Sequence, residues 1–155
     1  MNGSNQFINL SKFTKKSKIG EGTFGEVFTV AEEKTGNIYA AKISKSQLKE
    51  DDKSFTVNLQ REVDINAQLN HPCILKFIGY SPTNFTNDPN PVIISEYASN
   101  GTLLDYIQKE RLSLSPKSWD DTKKLINIYG IASAMSYLHS HNIIHRDLKP
   151  ANILE

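Results

Sequence analysis

Hydrophobic and β-branched residues in the first two thirds of the chain are concentrated in five short runs, separated by polar or glycine-containing segments. The runs are residues 13–19, 26–31, 38–43, 74–80 and 92–97. Their length and composition predict β-strands. Residues 32–37 are polar and contain Gly36, which is typical of a hairpin turn between the second and third strands. The first three strands are therefore predicted to form an antiparallel meander.

One amphipathic helix is predicted between the third and fourth strands. Phe55, Leu59 and Val63 recur every four residues within residues 55–69, and this spacing places them on one helical face. The helix is predicted to end before Pro72, because the residue that precedes a proline disfavours the helical backbone conformation. This part of the chain therefore contains five predicted strands and one helix.

The chain from Asn100 onward is predicted to be helical. A short helix is predicted at residues 102–109 and a longer one at about residues 119–140, with Ser118 and Asp121 as a candidate N-terminal cap. The longer helix has an apolar face made of Leu125, Ile128, Tyr129, Ala132, Met135 and Leu138. The whole pattern predicts an α+β fold, in which a five-stranded antiparallel sheet with one helix precedes the beginning of a helical lobe.

Composition and charge exclude some classes of function. The chain has 155 residues, 38% of them hydrophobic, and a formal net charge of +1. These values exclude wholesale disorder and predict no binding to nucleic acid or to an anionic membrane surface. No apolar run approaches the ~20 residues of a membrane span, and the first residues lack the pattern of a secretory signal. With a single cysteine, Cys73, the sequence favours an intracellular, cytoplasmic location, with the nucleus as an alternative.

A glycine motif lies between the first two predicted strands. Gly20, Gly22, Gly25 and Val27 form the pattern G-x-G-x-x-G-x-V, which occurs in loops that hold nucleotide phosphates. A dinucleotide-binding fold requires a helix to begin at the third glycine, whereas here β-branched and aromatic residues follow it. The loop is therefore predicted to be a flap between two strands. Three glycines in an ordinary hairpin remain the alternative explanation.

A lysine in the middle of an apolar strand is a second candidate. Lys42 lies on the third predicted strand, and Glu62 on the predicted helix is its candidate partner, which would hold the ammonium towards nucleotide phosphates. The alternatives are an outward-facing strand lysine and a helix carboxylate that is solvated or pairs with Arg61.

The strongest motif is the octapeptide that begins at His145 and ends at Asn152, with the pattern H-R-D-L-x-x-x-N. Together with the glycine motif and Lys42, in this order and at this spacing, it resembles the first part of a eukaryotic protein kinase catalytic domain, from about Phe13 to Glu155. Lys149 within the octapeptide resembles the Ser/Thr type. Within that type, the small residue Ser95 and the strand at residues 75–80 resemble the tyrosine-kinase-like group.

The resemblance implies a domain organisation and a reaction. Residues 1–12 would be a lead-in, residues 13–98 the kinase N-lobe, and residues 99–155 the end of the hinge and the start of the C-lobe through the catalytic loop. The rest of the domain is absent from these 155 residues, so a C-terminally incomplete chain is expected. The expected reaction transfers the γ-phosphate of ATP, with Mg²⁺, to Ser or Thr hydroxyls of protein substrates.

The resemblance also implies roles for particular residues. Asp147 would accept the proton of the substrate hydroxyl, Lys149 would neutralise charge on the γ-phosphate, and Asn152 would hold Mg²⁺. Lys42, held by Glu62, would bind the α- and β-phosphates. The implied nucleotide-binding residues, whose apolar members equally suit a core, are Ile19, Gly20, Gly22, Gly25, Val27, Ala40, Lys42, Glu96, Ala98, Thr102 and Leu154.

Two alternative hypotheses compete with that of an active kinase. The first is a truncated or pseudokinase-like module that binds nucleotide or a partner without phosphotransfer. The second is an unrelated nucleotide-binding enzyme, which the strand after Gly25 and the octapeptide disfavour. The sequence leaves the substrate and the oligomeric state open.

Overall fold

The chain folds into five strands, three α-helices and two short 3₁₀ turns in the computed structural model, which describes residues 6–49 and 51–155. Residues 1–5 of the predicted lead-in, and Glu50, lie outside the described residues. Two compact units are present: Met1–Asn70 with Leu75–Tyr97, and His71–Ile74 with Ala98–Glu155. They are called unit 1 and unit 2.

Unit 1 contains all five strands. They are β1 (Phe13–Glu21), β2 (Gly25–Glu32), β3 (Ile38–Ser44), β4 (Phe77–Ser81) and β5 (Val92–Glu96). They form one sheet in the order β1-β2-β3-β5-β4 with every pair antiparallel, which confirms the predicted five-stranded sheet. The predicted fourth strand began too early, because the N–H of Ile74 bonds to the carbonyl of His71 in a turn, so that the sheet starts only at Phe77.

The sheet buries side chains on both of its faces, and the helix α1 (Lys53–Gln68) packs on the face opposite Ala41. One cluster of buried side chains consists of Leu10, Phe13, Val30, Ala41, Val92 and Ile94. A second cluster consists of Leu59 and Val63 of α1 with Tyr80 of β4, which agrees with the predicted amphipathic face. Side chains alternate along a strand, so wholly buried Ala41 leaves its neighbour Lys42 on the opposite face of β3.

The edge of β4 is covered by residues that precede the first strand, a feature that the sequence pattern did not predict. The N–H of Ile8 bonds to the carbonyl of Tyr80, and the N–H of Tyr80 bonds to the carbonyl of Gln6. Phe7 also places its ring 5.5 Å from that of Tyr80. Gly79 allows this approach, because a Cβ there would lie 2.1 Å from Cγ2 of Ile8.

We predict that Gly79→Val displaces residues 6–8 from the sheet edge and lowers the free energy of unfolding by roughly 1–3 kcal/mol, the usual cost of overpacking. Hydrogen exchange at the Ile8 and Tyr80 amides should accelerate, and urea denaturation measures the stability. Gly22→Ala is the matched control, since a Cβ at Gly22 meets nothing within 4 Å. Equal protection of these amides in the wild type and Gly79→Val would contradict the pairing.

Unit 2 contains the helices α2 (Leu103–Arg111) and α3 (Asp121–Ser140). Thr102 and Asp105 form a reciprocal capping box at the start of α2. The predicted cap of α3 was wrong: the N-cap is Asp120, whose carboxylate accepts the N–H of Lys123. Asp120 is placed one residue before the helix, where a short side chain reaches the free N–H groups of the first turn.

The predicted apolar face of α3 is largely exposed within unit 2. Leu125, Ile128 and Tyr129 are 65%, 65% and 74% exposed, whereas Leu138 near the other end is buried. None of the described helices is long and apolar enough to span a membrane.

Candidate active site

The glycine motif of unit 1 lies in the turn between β1 and β2, as the sequence predicted. The N–H of Gly22 bonds to the carbonyl of Gly25 at 2.9 Å, and β2 begins at Gly25. A strand therefore follows the third glycine, which excludes the dinucleotide-binding arrangement that requires a helix there. We call residues 20–25 the glycine loop.

The glycines of this loop have different structural requirements. A Cβ on Gly25 would lie 2.4 Å from the backbone oxygen of Ile43 on β3, so packing of the sheet requires glycine at this position. A Cβ on Gly22 would meet nothing within 4 Å, and a Cβ on Gly20 would make only ordinary contacts with Val27. The alternative of hairpin glycines thus accounts for Gly25 and leaves Gly22 without a structural reason in the fold.

Ion pairs surround the glycine loop, and sequence reasoning missed them. Glu21 receives Lys18 Nζ on one carboxylate oxygen and Lys45 Nζ on the other, each at 2.6 Å. Lys18 also pairs with Glu26 at 2.6 Å. The hydrogen bond from Lys18, followed by that from Lys45, lowers the pKa of Glu21 to about 2. The loop therefore contains a carboxylate that is ionised at neutral pH and shared by two lysines.

Lys42 and Glu62 form an ion pair in unit 1. The Nζ of Lys42 lies 2.9 Å from Oε1 of Glu62, and both side chains are a little over half buried. Lys42 lies on β3 between Val27 of β2 and Ile93 of β5. This ion pair excludes both alternatives, a lysine that points to solvent without a partner and a Glu62 that pairs with Arg61 instead.

The helix α1 presents Glu62 towards Lys42 because its neighbours are fixed. Leu59 and Val63, one turn before and one residue after Glu62, pack on Tyr80 of the sheet. On the next turn, the side-chain amide of Asn66 donates to the backbone oxygen of Glu62 at 3.0 Å. The position of Glu62 is thus determined by packing of α1 on β4.

The other predicted nucleotide-binding residues of unit 1 are on its strands or at their ends. Ile19 is exposed near the end of β1, and Val27 and Ala40 are half-buried on β2 and β3. Glu96 ends β5, where its N–H bonds to the carbonyl of Lys76 and its carboxylate accepts the N–H of Lys76.

The remaining predicted nucleotide-binding residues lie in unit 2. The Thr102 hydroxyl donates to Asp105 Oδ2 at 2.7 Å and accepts the Asp105 N–H. Thr102 also forms an antiparallel bridge with Leu154, which brings the residues after the octapeptide to the start of α2. Ala98 is half-buried at the beginning of this unit.

The octapeptide of unit 2 folds so that three of its side chains meet. The side-chain amide of Asn152 donates to both the backbone oxygen and Oδ2 of Asp147, each at 2.9 Å. Lys149 Nζ lies 3.0 Å from the same Oδ2. The 3₁₀ turn Pro150–Asn152 returns the chain towards Asp147, and Arg146 adopts a left-handed backbone conformation with φ 65°.

This cluster has a defined charge state. Hydrogen bonds from Lys149 and then from Asn152 lower the pKa of Asp147 below its ordinary value, so the carboxylate is ionised at neutral pH. Its side chain is 63% exposed. The amide nitrogen of Asn152 is engaged with Asp147, and among residues 6–49 and 51–155 no group donates to its amide oxygen, which can therefore act as a ligand. The cluster thus presents one exposed carboxylate, one ammonium group and one amide oxygen.

Comparison with known proteins identifies the family. The sequence matches the protein kinase domain family over residues 13–155. The chain belongs to the protein kinase family. This result confirms the resemblance drawn from the glycine motif, Lys42 and the octapeptide, and it rejects an unrelated nucleotide-binding enzyme.

Relatives of this protein kinase chain include named Ser/Thr kinases. It is 35% identical to Aurora kinase of Saccharomyces cerevisiae over 151 residues, covering 95% of this chain and 37% of the relative. It is 38% identical to NUAK family SNF1-like kinase 1 of Homo sapiens, covering 92% and 20%. Serine/threonine-protein kinase Aurora-1 of Arabidopsis thaliana is 34% identical, with 94% and 46% covered. The chain therefore spans less than half the length of these three relatives. The tyrosine-kinase-like group stays a prediction.

Proposed function

We propose that the protein is a Ser/Thr protein kinase that transfers the γ-phosphate of ATP to hydroxyl groups of protein substrates. The main support for the proposal is the hydrogen-bonded cluster of Asp147, Lys149 and Asn152, in a chain that belongs to the protein kinase family. The names of the relatives support the choice of Ser and Thr.

Unit 1 supplies the groups that would bind the phosphates. Lys42 is the ammonium proposed for the α- and β-phosphates, and Glu62 at 2.9 Å holds it in place. Gly22 supports the same assignment, because the open space around it would let the backbone approach phosphate oxygens. Val27, Ala40 and Leu154 are the apolar residues proposed for the adenine ring, with backbone groups of Glu96 and Ala98. Ile19, directly before the glycine loop, is proposed as a further nucleotide contact.

Mg²⁺ fits the donor atoms that unit 2 offers. Magnesium prefers oxygen ligands and is usually held by few protein groups together with substrate phosphates. The amide oxygen of Asn152 is a ligand of this kind, and the bonds from its amide nitrogen to Asp147 hold the side chain in place. When bound, Mg²⁺ would neutralise negative charge on the phosphates during transfer.

The chemistry proposed for Asp147 and Lys149 follows from their charges. The substrate hydroxyl oxygen bonds to the γ-phosphorus while the bond from that phosphorus to the β–γ bridging oxygen breaks, and ADP leaves. Asp147 takes the hydroxyl proton, for which its ionised and exposed carboxylate is suited. Lys149 places an ammonium group 3.0 Å from this carboxylate, where it would stabilise the transferring phosphoryl group.

The proposal extends to the organisation and location of the protein. We assign residues 13–98 to the kinase N-lobe and residues 99–155 to the start of the C-lobe, with an intracellular location.

The direct test of kinase activity incubates the full-length protein with radiolabelled ATP, Mg²⁺ and a mixture of unfolded protein substrates. Label should enter the substrates, and chelation of Mg²⁺ by EDTA should prevent it. Nucleotide binding without label transfer would favour a binding module.

We predict that the acceptor is a Ser or Thr hydroxyl and not Tyr. The sequence Lys149-Pro150 resembles the Ser/Thr type, and Lys149 Nζ lies 3.0 Å from Oδ2 of Asp147. Peptides that differ only in Ser, Thr or Tyr at one position should be labelled at Ser and Thr. Phosphoamino-acid analysis provides the measurement, and a product that is mainly phosphotyrosine would contradict the assignment.

A further inference from the structure

We propose that Lys45 is a positioning residue for the glycine loop: it ties the loop to the segment that follows β3 and offsets the charge of Glu21. The inference rests on the proposed function, because its consequence concerns the binding of nucleotide phosphates. Lys45 belongs to none of the motifs that identify the family. It lies directly after β3, in the segment that leads to α1.

Lys45 holds the glycine loop at two points. Its Nζ lies 2.6 Å from Oε1 of Glu21, near the beginning of the loop. Its backbone N–H donates to the carbonyl of Phe24, near the end of the loop, at 3.2 Å. One residue therefore contacts both arms of a loop whose tip is exposed, since the Phe24 side chain is 78% exposed.

The backbone of Lys45 is in turn held to the sheet. The side-chain amide of Asn90 donates to the carbonyls of Ser44 and Lys45, at 2.9 and 3.4 Å. The N–H of Ser44 bonds to the carbonyl of Pro91 at 2.9 Å. Pro91 directly precedes β5, whose first residue, Val92, is wholly buried. Lys45 thus connects the exposed glycine loop to the buried part of unit 1.

Charge gives Lys45 a second role. Glu21 lies within a loop that is proposed to face the triphosphate of ATP, and an ionised carboxylate there repels phosphate oxygens. Lys18 and Lys45 each contact this carboxylate at 2.6 Å and keep its pKa at about 2. Removal of the Lys45 ammonium would leave Lys18 to neutralise both Glu21 and Glu26. The loop would then be less well held and more negative.

Removal of the Lys45 ammonium should loosen the glycine loop and leave the free energy of unfolding of the whole protein nearly unchanged. The side chains of Glu21 and Lys45 are 50% and 46% exposed, and exposed ion pairs contribute little to the free energy of unfolding. Lys45→Met keeps the backbone bonds to Phe24 and Asn90 and removes only the ammonium. We expect an unchanged melting temperature, faster amide exchange in residues 20–25, and a roughly 3- to 10-fold weaker affinity for MgATP.

The first measurement is hydrogen exchange of the full-length protein without nucleotide. Lys45→Met is compared with Lys45→Arg, which keeps the charge, and with Lys16→Met on β1, for whose ammonium no partner is found among residues 6–49 and 51–155. Exchange in residues 20–25 should accelerate in Lys45→Met and remain at the wild-type rate in the other two variants. Equal exchange in all four proteins would overturn the proposal.

The second measurement is calorimetric titration with MgATP at about 50 mM and about 500 mM KCl. Salt screens exposed charges, so the difference in affinity between the wild type and Lys45→Met should shrink at the higher concentration. Binding that is equal in both proteins at low salt would overturn the role in phosphate binding. If the wild type binds no MgATP, the proposed function fails, and the exchange experiment still decides whether Lys45 holds the loop.

Discussion

Asp147→Asn should lower kcat of the full-length protein about 10²- to 10⁴-fold, the usual contribution of a general base, while the affinity for MgATP changes little. Asparagine has nearly the same size as aspartate, and the bond from the Asn152 amide to the backbone oxygen of residue 147 can remain. What is lost is the ionised carboxylate, which accepts the proton and pairs with Lys149 at 3.0 Å. Steady-state kinetics with a saturating peptide substrate gives kcat.

A matched control separates this loss from a general effect of charge. Asp121→Asn removes the carboxylate of the first residue of α3, whose side chain is fully exposed, and should leave kcat within about twofold because exposed surface changes have small effects. Both variants should melt near the wild-type temperature. If Asp147→Asn keeps most of the wild-type turnover, Asp147 is not the base.

The sheet could be predicted from sequence because local patterns determine it. The runs that became β2, β3 and β5 alternate or are continuously apolar and are bounded by turn residues, and the structure moves their ends by only one residue. Errors arose where a local hydrogen bond competes with propensity. The turn at Ile74 delayed β4, and Asp120, which the capping prediction passed over, caps α3.

Contacts between residues distant in sequence were predicted only where a motif supplied the spacing. Lys42 and Glu62 are 20 residues apart, and their pairing was proposed because a lysine in an apolar strand needs a partner. The pair of Glu21 with Lys45 spans 24 residues and has no such signal. The Lys18–Glu21 pair is only three residues apart, but no motif pointed to it and the sequence analysis did not predict it.

The exposed face of α3 shows that periodicity in the sequence does not predict burial. Periodicity predicts that Leu125, Ile128 and Tyr129 share a helical face, but it does not state what covers that face. In unit 2 these side chains are exposed. The amphipathic pattern therefore reports which side of the helix is apolar, whereas burial depends on the elements that pack against it.

Lys42→Met should also cause a large loss, about 10²- to 10³-fold in kcat, the range measured when one preorganised electrostatic group is removed from an active site. Methionine is similar in length and apolar, so β3 should retain its pairing with β2 and β5. The ammonium that Glu62 holds at 2.9 Å is lost, and the α- and β-phosphates would no longer be oriented. Melting temperature and the circular dichroism spectrum should remain those of the wild type.

The pairing of Lys42 with Glu62 makes a sharper test possible through a double-mutant cycle. Glu62→Gln should lower kcat by a smaller factor, because the ammonium remains but is less well held. If Glu62 acts only through Lys42, adding Glu62→Gln to Lys42→Met should cause no further loss, since residues that act as a unit are not additive. Lys16→Met on β1 is the control for loss of a strand lysine and should retain full turnover. Multiplicative losses in the double variant would mean that Glu62 contributes to catalysis by a route other than its ion pair with Lys42.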